Sequence, residues 1–455
     1  MNVLKAMISL VIFWIVIADV ALAQEKGTYR FALLRQNDSV PRLDNRNGLS
    51  WYRSLKHLYV SENNQLTLGG SWRGQAESFV NEEFSTEGRQ DNIWFLNRLL
   101  FHAHLKLGDR FETFAELGSS LIEGKNNLSP VDKDVLYVNQ LFVAYEISSL
   151  WTLEVGRRNI RLGSGRLVDI REGPNVRRSF DMAELRYHTK VFEALSFFSV
   201  PVRPEPGAFD NGQWTFDETF SGLYTTTHFA DDNYLDAYVL YQKEDGAIYQ
   251  SGTDNERRVS IGARHVGTVK GFTYNNEVVY QMGSFGNQDI SAWTLSLQVE
   301  AELKVLGKDF DVGIKTEAIS GDKNSTDGKM NTFDALYPRG AYFGRVARFG
   351  PSNLIDVHPY VNTTFNKLSL EVDYAAFWRY SLEDGVYGAA MTLDYPSLND
   401  QRFIANQMGF IAGYRFNHAI GVELEGNVIF PGPFLRENNM DDTLFHMVLT
   451  TEVKF

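Results

Sequence analysis

The chain has 455 residues and no cysteine, which excludes disulfides, thiolate metal sites and cysteine nucleophiles. Its 57 acidic residues outnumber 44 Lys and Arg, for a net charge of −13, so no nucleic acid is expected as a partner. Tyr, Phe and Gly are frequent, Pro is scarce and the mean hydropathy is −0.26, a mildly polar balance that membrane strands with one apolar and one polar face produce.

The first segment reads as a secretory signal over residues 1–23. Lys5 gives the positive start, Ala6 to Ala18 the apolar core, and Ala21-Leu22-Ala23 the cleavage site, so the mature chain begins at about Gln24. The apolar core is shorter than the ~20 residues a spanning helix needs. Residues 24–65 then form a periplasmic segment leading into a barrel over 66–455.

From there alternation dominates. Trp293, Leu295, Leu297, Val299, Ala301, Leu303 and Val305 share one face, opposite Thr294, Ser296, Gln298, Glu300, Glu302 and Lys304. Such a run, at ~3.3 Å per residue, suits a tilted strand crossing a bilayer better than a short globular strand. The pattern predicts strands at 66–79, 95–107, 111–123, 136–148, 151–157, 183–190, 192–200, 217–229 and 234–243. It continues at 256–267, 271–283, 291–305, 309–320, 357–365, 368–380, 402–416, 418–429 and 443–455. Short connections, such as Gly108-Asp109-Arg110 and Asn366-Lys367, alternate with long ones, such as Arg158 to Met182 and Gly321 to Asp356. The expected fold is therefore all-β: a transmembrane antiparallel β-barrel of about eighteen strands in the bacterial outer membrane, with short periplasmic turns and long extracellular loops. In the last strand Phe445, Met447, Leu449, Thr451, Val453 and Phe455 keep one register, resembling the C-terminal signal of outer-membrane proteins.

One segment runs against the acidic balance. Arg157, Arg158, Arg161, Arg166, Arg171, Arg177 and Arg178 crowd the connection after the fifth strand. Folded into the lumen, they would line it with guanidiniums suited to carboxylates; alternatively they meet lipopolysaccharide phosphates or pair with Asp169, Glu172 and Asp181. Gly156, Arg157, Gly163, Arg166 and Leu167 fit G-R-x-x-x-x-x-G-x-x-R-L, and Asn175, Arg178, Ser179, Phe180 and Asp181 fit N-x-x-R-S-F-D. With Leu55-Lys56-His57-Leu58, Leu66 to Arg73 and Glu77, these motifs resemble the alginate export family of outer-membrane porins over about residues 30–190.

That resemblance implies an arginine-lined constriction with acidic residues organising it. By matching position it nominates Arg157, Arg166 and Arg178 for a polyanion path, with Asp181 orienting them. Arg73, Arg98 and Arg186 join them as residues near strand ends or on a lumen-facing register. No cofactor, metal site or catalytic motif is expected. His102 and His104 lack a third ligand, and Asp322 to Gly328 departs from a calcium loop in its glycine position and its missing Glu. The expected function is passive export of an anionic, alginate-like polysaccharide, with outer-membrane lipid and lipopolysaccharide around the barrel and periplasmic export or scaffold proteins as possible partners. The alternative is a general or nutrient-uptake porin, since Glu277, Glu300, Glu302, Glu317, Glu371, Asp373, Glu423 and Glu425 also point to the lumen.

Overall fold

The computed structural model describes residues 30–39, 51–61, 63–85, 92–212 and 214–455. The signal segment 1–23 lies outside the described residues. Alternating sequence becomes strand throughout: β1 Asn64–Val80, β2 Asn92–Leu107, β3 Phe111–Glu123, β4 Asp134–Ser148, β5 Trp151–Arg158 and β6 Phe180–His188. Next come β7 Phe192–Pro201, β8 Glu218–Ala230, β9 Asn233–Tyr249, β10 Gly252–Val269, β11 Phe272–Phe285 and β12 Gln288–Val305. The wall ends with β13 Lys308–Ile319, β14 Leu354–Phe365, β15 Leu368–Arg379, β16 Phe403–Arg415, β17 Ile420–Pro431 and β18 Leu444–Lys454.

Each strand pairs antiparallel with its sequence neighbours, and β1 pairs with β18 from Ser71↔Lys454 to Val80↔Phe445. The eighteen strands therefore close on themselves. Closure satisfies the backbone groups that a sheet edge would leave bare, the condition for a sheet to exist in lipid. The apolar stripes face outward, with Leu295, Leu297 and Val299 of β12 each about 40 % exposed, while Ser296 and Glu317 are buried inside.

All eighteen expected strands are present, but the alternation of connections breaks at two places. β9–β10 and β11–β12 run on to the two-residue turns 250–251 and 286–287 where longer loops were expected. Inward Tyr249 and Phe285 pack together, with ring centroids 5.4 Å apart, and Tyr249 meets Tyr387 of the 380–402 loop. Folded loops thus support strand pairing beyond the apolar belt.

The hydrophobic core lies in the lumen. The connections 159–179 and 320–353 fold inward and bury Ile160, Leu162, Leu167, Val168, Phe333, Leu336, Tyr342 and Phe343. They are stitched together by Tyr337 N–H donating to Leu167 O (2.8 Å) and Asp169 N–H to Tyr337 O (2.9 Å). Ahead of β1 the described part of the leader is seated on the barrel. Helix α1 (Trp51–Lys56) is followed by a short strand, Leu58–Ser61, that pairs with the start of β1.

Candidate functional site

The two inward loops meet at a neck. On the side of the long connections, a vestibule of about 930 Å³ is lined by Glu82, Glu83, Arg171, Pro174, Gly340 and Arg348. On the side of the short turns, a cavity of about 370 Å³ is lined by Leu33, Gly173, Lys315, Arg339, Gly340 and Glu423. Gly340 belongs to both. A Cβ there would stand 2.7 Å from Pro174 Cδ, so only glycine permits 171–174 and 339–341 to approach so closely.

Glu172 organises one side of the neck. Its carboxylate takes Arg177 Nε at 2.6 Å and Arg98 Nη2, and Arg73 Nη1 lies at 3.7 Å. Arg73 also donates to the carbonyl oxygens of Glu172 and Pro174, the latter at 2.9 Å. Three guanidiniums thus face one carboxylate. Burial alone would raise the Glu172 carboxyl, but Arg177, Arg98 and Arg73 outweigh it and hold it well below the usual carboxylate range.

Arg178 and Arg339 differ from these. Among the described residues neither makes an ion pair; Arg178 lies over the Tyr337 ring at 4.8 Å and Arg339 over the Tyr342 ring at 5.2 Å. Each leaves a buried nitrogen without a hydrogen-bond partner. Partial burial depresses both guanidiniums from their usual value, so each is a half-buried cation that an anion would relieve.

The remaining nominated residues are spread apart. Arg166 reaches from the inward loop to the far wall and is buried there, with Nε 3.0 Å from Glu317 Oε1 and Nη1 3.3 Å from Glu277 Oε2. Arg157 forks onto Asp181 at 2.8 and 2.9 Å, and Trp214 Nε1 donates to the same carboxylate at 2.7 Å. Arg157 and Asp181 share the parity of exposed Val155, Ala183 and Leu185, which corrects their assignment to the path: they lie on the outer face. Arg186 joins Arg158, Glu154 and Glu184 in a separate inward cluster whose charges cancel. Asp181 therefore orients Arg157 alone, while Glu172 organises the neck.

Sequence reasoning counts Arg177 in the basic stretch without nominating it, and misses the whole contribution of the 320–353 connection. The available signal was the cluster Arg339, Arg345 and Arg348 in a long loop of an acidic chain. The acidic wall is also present: Glu371, Asp373, Glu423 and Glu425 line the smaller cavity, where Arg345 pairs with Glu423 (3.2 Å) and Glu425 (3.4 Å).

The profile of a family described as alginate export matches residues 64–446. No curated protein matches the sequence. Among solved structures, Pseudomonas aeruginosa OpdQ aligns with TM-score 0.58 and 11% identity over 86% of this chain and 97% of that one. Pseudomonas aeruginosa OpdO gives 0.56 and 11% over 85% and 97%, and Acinetobacter baumannii OccAB4 gives 0.54 and 11% over 85% and 98%. Identities this low speak for the fold alone. With the family match, they place the chain in the bacterial outer membrane as a channel.

Proposed function

Since the chain belongs to the alginate export family, we propose that it passes an anionic polysaccharide of the alginate class, a polyuronate, through the neck between its two inward loops. The observation that carries this reading is Arg339, a half-buried guanidinium without an ion pair among the described residues, which lines the smaller cavity together with Glu172, the carboxylate at the centre of the arginine cluster; Arg178, likewise held on a tyrosine face, belongs to the same loop as Glu172. A carboxylate relieves such a cation, and a chain of carboxylates exchanges one partner for the next, so binding stays weak enough for movement. Direction comes from supply of polymer on one side.

The test is planar-bilayer conductance of the purified barrel with and without oligouronate. The expected result is anion selectivity and concentration-dependent block that weakens in Arg339→Gln and Arg178→Gln. Cation selectivity without oligouronate block would overturn the reading and favour a general porin, for which the acidic residues of the smaller cavity would then account.

A further inference from the structure

Residues 30–39 take no part in the neck, yet they are anchored into the barrel. The segment closes on itself through Arg30 N–H to Ser39 O (3.2 Å) and Ser39 N–H to Arg30 O (3.0 Å). Asp38 braces it from within, accepting Ala32 N–H at 2.8 Å and Arg35 Nε at 2.9 and 3.1 Å. From this closed turn four side chains reach the barrel, Arg35 among them. Phe31 packs on the cluster of Ala419, Ile420 and Val453 and stacks on His418, with centroids 5.6 Å apart. Leu33 lines the smaller cavity, and Gln36 Oε1 accepts from Gln140 Nε2 at 3.3 Å on the inner face of β4.

Arg35 shows where the turn is fixed. It is 3 % exposed and donates to Gly70 O at 2.7 Å and to Phe455 O at 3.4 Å. Gly70 and Phe455 exchange backbone hydrogen bonds of 2.7 and 2.9 Å beyond the last β1–β18 pair. From there β1 continues to Asn64 without β18 beside it, so its edge would be bare. The N-terminal segment covers that edge: Lys56 Nζ donates to Leu68 O at 2.7 Å, and Leu58–Ser61 pairs with the first residues of β1. A leader that merely joined the barrel would need neither an arginine buried on the closing seam nor a leucine in the cavity behind the neck.

We propose that residues 30–39 are a strap across the periplasmic mouth of the channel, pinned on the β1–β18 seam by Arg35, and that the strap leaves its seat to open the mouth fully. Its Leu33 and Gln36 enter the lumen on the side of the neck from which a polymer would arrive. The proposal rests on the channel reading, but conductance in KCl needs no polymer, so its failure and the failure of polyuronate passage are told apart.

The absence of native cysteine makes the test clean. The full chain with Gln36→Cys and Gln140→Cys, bridged by a short reducible bis-thiosulfonate because contact between two glutamine tips does not by itself set the Cβ separation of a disulfide, is inserted into planar bilayers, and single-channel KCl current is recorded cross-linked and then after reductant. Cross-linking, verified by gel shift, is expected to abolish the excursions to higher conductance, and reduction to restore them; identical traces in both states overturn the release of the strap. Deleting 30–39, or Arg35→Ala, is expected to raise conductance by a factor of about two or more, since current follows the open cross-section. Wild-type conductance in these variants, once gel mobility shows them folded, overturns the strap as a constriction. If neither folds, the cross-linked pair, which keeps every other residue, decides the proposal alone.

Discussion

Arg166 is the nominated residue whose environment most plainly separates anchoring from transport, and Arg166→Met is the perturbation that tests it. Its guanidinium bridges Glu317 on β13 and Glu277 on β11. Around it, Ser164 Oγ donates to Glu277 Oε2 at 2.8 Å, Tyr238 OH to Glu277 Oε1 at 2.7 Å and Tyr342 OH to Glu317 Oε1 at 3.0 Å. All three ionised side chains are buried. Methionine keeps the apolar stem but strands two buried carboxylates. One such contact is worth about 4 kcal/mol at 4 Å with an effective dielectric constant of 20. Removing one partner of a buried pair typically costs 3–5 kcal/mol, and about 1.4 kcal/mol is tenfold in an equilibrium constant. Folding in detergent micelles, followed by urea titration and heat-modifiable gel mobility, should therefore show a loss of roughly two to three and a half orders of magnitude in the folding equilibrium. The triple variant Arg166→Met, Glu277→Gln, Glu317→Gln should recover most of it. A wild-type urea midpoint for Arg166→Met, combined with loss of oligouronate block, would refute the reasoning and return Arg166 to the polymer path.

Two further outcomes follow from the same geometry. Glu172→Gln removes the one carboxylate shared by Arg73, Arg98 and Arg177, so the reversal potential in a KCl gradient should move toward the chloride limit; movement toward potassium would contradict a cationic neck. Lys56 is pushed down to about 7 by burial and by Arg35, with Asp38 opposing, while His57 and His102 also face it. When the leader is undocked Lys56 keeps its proton up to its ordinary value of 10.5, so between about pH 7 and 10.5 the undocked form binds more protons and docking strengthens as pH rises, by up to about 1.4 kcal/mol per pH unit. KCl conductance should accordingly fall from pH 7 to 9 in the wild type and stay level in Lys56→Met; a level response in both would rule out this linkage.

The wall was readable because lipid imposes a rule on every strand. Trp293 to Val305 and Phe445 to Phe455 each carry their apolar members on one parity, and a slip of one residue would turn charged side chains into hydrocarbon. The lumen obeys no such local rule. Arg166 finds its carboxylates 111 and 151 residues away, so nothing beside it in sequence marks it as neutralised. Arg157 and Asp181 stand directly opposite in the β5–β6 register, and only the parity set by Val155 and Ala183 reveals that both point outward. Tyr337 and Arg339 belong to a connection without periodicity, and their contribution rests on the bridge from Tyr337 to Val168.

An arginine that already holds its own carboxylate by a fork has little to offer a passing one. The exchange would break two charge-assisted hydrogen bonds to form two of the same kind, with the abandoned carboxylate left beside the polymer's negative charge. Arg157 with Asp181, and Arg166 with its two glutamates, are in that condition. Arg178 and Arg339 are held by aromatic faces, a contact worth about 0.5–2 kcal/mol that survives while the guanidinium edge binds something else. Density of arginine is therefore a poor guide to the path, and the partner each arginine keeps at rest is a better one. By that criterion, and on the proposed reading, Arg339 of the opposite loop is the residue to test first for a polymer path, while Arg73, Arg98 and Arg177 are taken up around Glu172 in building the neck.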